Sequence, residues 1–159
     1  MKHTISALVE NKSGVLAHIS TLFSARGFNI SSLAVGETDD PEVSKMTIVL
    51  DADERILEQV IKQLHKLIDV IKVQDLTGQN FIDRELVLVK VNTTPTTRAE
   101  IMQIVDIFRA RIVDASSKAL TIEITGNTNK VKGMLELLRE FGIKDVVRTG
   151  KIAMARGNK

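Results

Sequence analysis

Two hydrophobic periods succeed one another in a fixed order along this chain. From Thr4 to Val9 apolar residues recur at every second position, Ile5, Ala7 and Val9 on one side and Thr4, Ser6 and Leu8 on the other, the period of a strand. After the loop Asn11, Lys12, Ser13, Gly14 the spacing changes. Val15, Leu16, Ile19, Leu22 and Phe23 form one stripe of an amphipathic helix, which ends at Arg26-Gly27, where glycine can take the left-handed C-terminal position. Phe28 to Gly36 then reads as a second strand and Val43 to Asp51, through Met46, Ile48 and Leu50, as a third, joined by the turn Thr38-Asp39-Asp40-Pro41. A second helix puts Ile56, Leu57, Val60, Ile61, Leu64, Leu67 and Ile68 on one face, and Asp69 to Leu76 closes the unit as a fourth strand.

Beyond the polar run Thr77-Gly78-Gln79-Asn80 the same order recurs. Leu86 to Val91 is an apolar strand, and Thr96 to Ala110 carries Ile101, Ile104, Val105 and Phe108 at helical spacing, with Thr96-Thr97 after Pro95 as the start signal. Strands follow at Arg111 to Asp114 and Leu120 to Thr125, then a helix through Val131, Met134, Leu135 and Leu138, and a last strand from Ile143 to Val147. The pattern predicts an α+β protein of two tandem ferredoxin-like βαββαβ domains, residues 1–76 and 84–159, joined by a linker at 77–83. Units of ~75 residues bury little surface, so they are expected to pack together or to oligomerise. The second strand carries no charge, Lys or Pro from Asn29 to Gly36. In the ferredoxin-like order it lies at a sheet edge, where such a sequence invites pairing, and a homodimer through this edge is expected.

Composition narrows the chemistry. With 43% hydrophobic and 26% charged residues the chain reads as an ordinary soluble protein, and no apolar run approaches the ~20 residues that span a bilayer. The opening residues enter strand pattern directly rather than a signal peptide, and there are no cysteines, so a cytoplasmic location is expected and disulfides, zinc ribbons and thiol nucleophiles are excluded. Residues 1–76 carry 8 Lys+Arg against 11 Asp+Glu, and residues 77–159 carry 14 against 9, so the halves differ at −3 and +5. The second half is mildly basic, which in itself describes a solvated face.

Catalytic motifs are missing: there is no phosphate-binding glycine loop, no H-E-x-x-H and no G-x-S-x-G, so no catalytic residue is assigned. His3, His18 and His65 lie on three different elements, and the acidic pair Asp39-Asp40 before Pro41 reads as a turn, so no metal site is assigned either. Tandem four-stranded α/β units also describe RNA-recognition domains, but those stack bases on aromatic side chains, and this chain has no Trp or Tyr and five Phe outside any such pattern. No nucleic-acid partner is expected. The loop Asn11 to Gly14 has two readings. One is a plain strand-to-helix turn in which Ser13 caps the helix. The other is a site for a small zwitterion, with the amides at the helix start taking a carboxylate, the carboxamides of Asn11 and Asn29 as polar partners, and Val15, Ile30, Leu33 and Val35 as apolar neighbours. Asn29 lies on the strand expected to pair, so it can reach the loop of a second copy.

The runs Glu10-Asn11-Lys12-Ser13-Gly14-Val15-Leu16, Leu22 to Ile30, Thr38-Asp39-Asp40-Pro41, Ile107 to Asp114 and Arg148-Thr149-Gly150 together resemble the regulatory small subunits of acetolactate synthase, over essentially the whole chain. The first half resembles an ACT domain, an amino-acid-sensing module, and the second the family's ACT-like C-terminal domain. The resemblance implies a chain without catalytic activity of its own, binding no cofactor. It would activate a large catalytic subunit that holds thiamine diphosphate, Mg²⁺ and FAD, and would confer feedback inhibition by valine in branched-chain amino acid biosynthesis. Carried over by position, the implied valine site comprises Asn11, Ser13, Gly14, Val15, Leu16, Asn29 and Ile30 at the interface of an ACT homodimer. The alternative is a stand-alone ACT-type sensor serving another enzyme or a transcription factor.

Overall fold

Both periods become structure in the computed structural model, which describes residues 1–157. In the first half the elements are β1 (Lys2–Glu10), α1 (Val15–Ala25), β2 (Ile30–Glu37), β3 (Val43–Asp51), α2 (Glu54–His65) and β4 (Val70–Asp75). They form an antiparallel sheet of order β2-β3-β1-β4, the ferredoxin-like order, so β2 is the edge strand that this order implies. Ile5, Ala7 and Val9 of β1 pack with Met46, Ile48 and Leu50 of β3 under Val15, Ile19 and Phe23 of α1 and Leu57, Val60 and Leu64 of α2. The apolar stripes are the core.

The second half repeats the plan with β5 (Phe81–Asn92), α3 (Arg98–Ile107), β6 (Arg111–Ala115), β7 (Ala119–Gly126), α4 (Thr128–Leu138), a single 3-10 turn (Arg139–Phe141) and β8 (Ile143–Arg148), in the sheet order β6-β7-β5-β8. Val87, Val89 and Val91 of β5 and Leu120, Ile122 and Ile124 of β7 face Ile101, Val105, Val131 and Leu135.

Four details differ from the sequence expectation. Ile68 is 92% exposed, because α2 stops at His65 and the turn that follows rotates Ile68 away from the stripe. The third helix is shorter than its periodicity suggests, Arg98–Ile107 rather than Thr96 to Ala110, and Thr97 at its start makes no side-chain capping bond. Strand β5 begins at Phe81, so the end of the expected linker at 77–83 is already strand. Residues beyond Gly150, which the expected second domain at 84–159 includes, group by compactness with the first unit. The chain divides into one unit of Met1–Ile82 plus the segment from Lys151 onward, and another of Asp83–Gly150.

The returning segment contains a ninth strand, β9 (Ile152–Ala155), which lies against β1 and β3. The Ala153 N–H donates to Thr47 Oγ1 at 3.3 Å, the Lys151 ammonium donates to Thr4 Oγ1 at 3.3 Å, and the Arg156 N–H donates to Asn80 O at 3.1 Å. This explains why Thr4, Ser6 and Thr47, polar residues on the sheet face away from the helices, are all buried. The Thr4 and Thr47 hydroxyls gain partners from the segment that covers them, as buried polar groups require.

Candidate functional site

The loop between β1 and α1 is built around Gly14, the N-cap of α1, whose backbone sits at φ +89° and ψ −13°. That combination belongs to the position of a tight turn that glycine favours, since a Cβ there crowds the backbone. The turn decides how the helix starts. The Val15 N–H reaches the Lys12 carbonyl only at 3.4 Å, the first regular helical bond is His18 N–H to Gly14 O at 2.9 Å, and no side chain caps the helix. Ser13, which the sequence offers as the cap, does not act as one: the cap position is taken one residue later, by Gly14, which has no side chain to contribute. Among the described residues the Leu16 and Ala17 amides have no partner, which leaves them as donors at the positive end of the helix.

At its other end α1 closes as the sequence predicts. Gly27 has φ +66°, the Gly27 N–H donates to Ser24 O at 3.2 Å, and the Phe28 N–H donates to Phe23 O at 3.1 Å. These are the paired bonds of a Schellman motif, and the Phe23 and Phe28 rings supply its apolar contact, edge to face with centroids 6.0 Å apart. The motif fixes the exit angle of the chain. Asn29 follows directly and is exposed, and Ile30, half-buried against the core, begins β2.

Asn11 ties the loop to the turn between β2 and β3. Its N–H donates to Glu42 O at 2.8 Å, and its Nδ2 donates to Pro41 O at 2.8 Å and to Glu37 Oε1 at 3.1 Å. The turn is itself braced, since Thr38 Oγ1 donates to Val43 O at 3.0 Å and Asp40 Oδ1 accepts from the Glu42 N–H at 3.0 Å. Behind the loop, the Lys12 ammonium lies 2.8 Å from Glu10 Oε2 and 3.1 Å from Asp69 Oδ1, and His18 Nδ1 is 3.2 Å from Asp69 Oδ2. The hydrogen bond from Lys12 holds the Asp69 carboxyl below its ordinary range, aided by His18 and opposed by burial; Glu10 and then Asp69 raise Lys12 in return. The spacing of the sequence singles out Asn11 but not Glu37, Pro41 or Asp69, which lie 26, 30 and, from His18, 51 residues away along the chain.

Of the seven residues assigned to the site, Asn11, Ser13, Gly14, Val15 and Leu16 fall within one six-residue run, 11–16. Val15 is buried in the core, whereas Leu16, although on the predicted stripe, is 48% exposed beside the loop. Asn29 and Ile30 are elsewhere. They lie past the far end of α1, an 11-residue helix and so about 16 Å long. Within one chain the two groups do not meet. Two clefts, of about 690 and 720 Å³, are lined by Leu135, Arg139 and Arg148 and by His3, Leu57 and Asp75 with their neighbours, and none of the seven residues lines either. Among the described residues no group of three or more His, Asp or Glu is arranged to hold a metal ion, and no helix is long and apolar enough to cross a membrane.

Comparison with known proteins agrees with this architecture. A family model described as an AHAS small subunit-like ACT domain matches residues 5–72, and one described as the small subunit of acetolactate synthase matches residues 84–157. The chain is 54% identical over 159 residues to the probable acetolactate synthase small subunit of Archaeoglobus fulgidus, covering 100% of this chain and 99% of that one. To the acetolactate synthase small subunit of Mycobacterium leprae it is 49% identical over 155 residues, covering 98% and 92%. The crystal structure of the acetolactate synthase small subunit from Thermotoga maritima superposes with a TM-score of 0.88 at 41% identity, covering 100% and 99%. The chain thus belongs to the acetolactate synthase small-subunit family, with an ACT-type domain in its first half.

Proposed function

We propose that this small subunit binds valine between the ACT domains of a homodimer and uses that binding to control a separate catalytic subunit. The carboligation of 2-oxo acids, with its thiamine diphosphate, Mg²⁺ and FAD, belongs to that partner in the cytoplasm. The chain described here activates it and confers feedback inhibition. The observation that carries the reading is the separation of the two halves of the site. Asn29 and the loop at Gly14 lie at opposite ends of α1, and Glu37, bonded to Asn11, lies at the opposite end of β2 from Ile30, about 23 Å along the strand. β2 is an uncharged edge up to Glu37. If two copies pair antiparallel through it about a two-fold axis, the Ile30 end of one strand meets the Glu37 end of the other. Each loop then receives Asn29 of the partner subunit. Helix-start amides take the carboxylate of the amino acid, and Leu16 and Ile30 suit its aliphatic side chain.

Inhibition requires valine to bind two states of the assembly unequally, because a ligand with equal affinity for both shifts nothing. The test is complementation. Asn11→Ala and Asn29→Ala chains should each bind valine 10- to 150-fold more weakly by calorimetry, as expected for losing about 1.5–3 kcal/mol of charge-assisted hydrogen bonding. Mixed and allowed to exchange, they should recover part of the binding, through heterodimers that carry one intact site and one doubly altered one. No recovery despite exchange would exclude a shared site. Ser31→Lys, which puts a charge on the pairing edge, should give monomers in sedimentation and lose valine binding together.

A further inference from the structure

We infer that Glu37 is a positioning residue for the effector site, holding the Asn11 carboxamide so that its oxygen is left to accept from the ammonium of the ligand. On the reading of the site given above, this fixes which way round the amino acid lies.

An asparagine side chain carries two donors on one atom and an acceptor on the other, and its neighbours decide which faces where. Here Nδ2 lies 3.1 Å from Glu37 Oε1 and 2.8 Å from Pro41 O, a carboxylate and a carbonyl, neither of which donates. Both amide protons are therefore used within the chain. Oδ1 accepts from no donor among the described residues. What Asn11 retains is acceptor capacity alone, which suits an ammonium and repels a carboxylate. The start of α1 is the reverse: its uncapped amides are donors only. One loop thus offers an acceptor and a set of donors, the complement of a zwitterion, with the ammonium at Asn11 and the carboxylate at the helix start.

Glu37 makes this arrangement single-valued. With Pro41 O as the remaining partner, the amide could turn about its last side-chain bond and present N–H groups to the ammonium. Glu37 is exposed at the end of β2, so its replacement leaves the core intact. Glu37→Gln keeps an acceptor oxygen and removes the charge, whereas Glu37→Ala removes both.

The test uses the full chain and three forms: the parent, Glu37→Ala and Glu37→Gln. In calorimetry Glu37→Ala should bind valine about tenfold more weakly, the value of one lost hydrogen bond to a charged or oriented group, and Glu37→Gln within about twofold of the parent. 3-Methylbutanoate, which keeps the carboxylate and isopropyl group but lacks the ammonium, should bind all three forms equally. In the ligand-free chain, hydrogen exchange of the Asn11 side-chain amide, read by NMR, should be slow in the parent and Glu37→Gln and fast in Glu37→Ala. Unchanged valine binding by Glu37→Ala would overturn the inference. So would an equal loss in both variants, which would mean that the charge of Glu37 acts on the ligand directly, or a monomeric Glu37→Ala in sedimentation, which would mean that it acts through assembly. Should the parent take up no valine, the effector reading falls by itself and the amide pair decides: loss of protection in Glu37→Ala alone supports the positioning role, and equal exchange in all three overturns it.

Discussion

Replacing Gly14 separates the two properties that the loop combines. A Cβ built on Gly14 meets nothing within 4 Å, so Gly14→Ala introduces no clash, and its whole effect is the conformational cost of holding φ +89° with a side chain. That cost is about 1–2 kcal/mol, only partly offset by the lower entropy of the unfolded alanine chain. Urea unfolding of Gly14→Ala should therefore show a loss of about 1 kcal/mol with an unchanged m-value. Since the helix-start amides remain, valine should still bind within a few-fold of the parent. Gly14→Asp carries the same backbone penalty, slightly eased because Asp tolerates the left-handed region. It also sets a carboxylate where the carboxylate of the ligand would lie. Two unit charges ~4 Å apart at an effective dielectric of about 20 repel by about 4 kcal/mol, close to a thousandfold in affinity. The two variants should be similar in stability and differ by orders of magnitude in calorimetric titration with valine. A Gly14→Ala chain as stable as the parent would show that the turn does not hold glycine geometry. A Gly14→Asp chain that binds valine normally would show that no ligand carboxylate sits at the start of α1.

Three further outcomes follow from contacts elsewhere. Asp53 caps α2, its Oδ1 accepting from the Ile56 N–H at 2.8 Å, so Asp53→Ala should lose about 1 kcal/mol in urea unfolding, whereas Ser13→Ala should change stability by less than about 0.5 kcal/mol because Ser13 caps nothing. Asp69 titrates below its ordinary range when folded, so its contribution to stability is present above about pH 4 and is lost as the pH falls through the folded value. Asp69→Asn should flatten that part of the acid limb in unfolding curves taken between pH 7 and pH 2, and an unaltered limb would mean that the Lys12 contact is not made in solution. Arg109 occupies at the end of α3 the place that Gly27 holds after α1, with φ +54°, Arg109 N–H to Asp106 O at 3.1 Å and Ala110 N–H to Val105 O at 2.9 Å, so Arg109→Gly should raise the urea midpoint, by about 0.5–1 kcal/mol of stability.

The order of elements was legible because the residues that set the two periods are the ones that fill the core: Ile5, Ala7 and Val9, then Val15, Ile19 and Phe23. Errors gathered where the sign of a residue depends on what lies opposite it. Thr4, Ser6 and Thr47 look like solvent-facing strand positions, and nothing local reveals that a strand more than a hundred residues later in the chain covers them. That strand, Ile-Ala-Met-Ala, is four residues long and too short to show a period. Ser13 looks like a cap because Ser commonly is one, but the positive φ of Gly14 moves the cap position past it. Asn11 was visible as a polar residue at a turn. Its orientation was not, since Glu37 and Pro41 reach it only through the sheet.

The two repeats also explain why only one of them is read as a sensor. In the second unit the loop before the helix, Thr93 to Thr97, satisfies itself: the Thr94 N–H donates to Thr97 Oγ1 at 2.9 Å, the Thr97 N–H to Thr94 O at 3.2 Å, and the Arg98 N–H to Thr94 O at 3.0 Å, while Pro95 has no N–H to offer. Ala99 and Glu100 of α3 nevertheless stand where Leu16 and Ala17 stand in α1, and neither cap residue makes a side-chain capping bond, so the helix starts by themselves do not distinguish the two units. The first unit differs in what stands beside its helix start. Here the Lys12 ammonium is turned back onto Glu10 and Asp69, the Leu16 and Ala17 amides have no partner among the described residues, and Asn11 spends both its protons on the β2–β3 turn. Uncompensated groups of both signs are thus concentrated in one loop beside an uncharged sheet edge, where a ligand and a second copy can complete them.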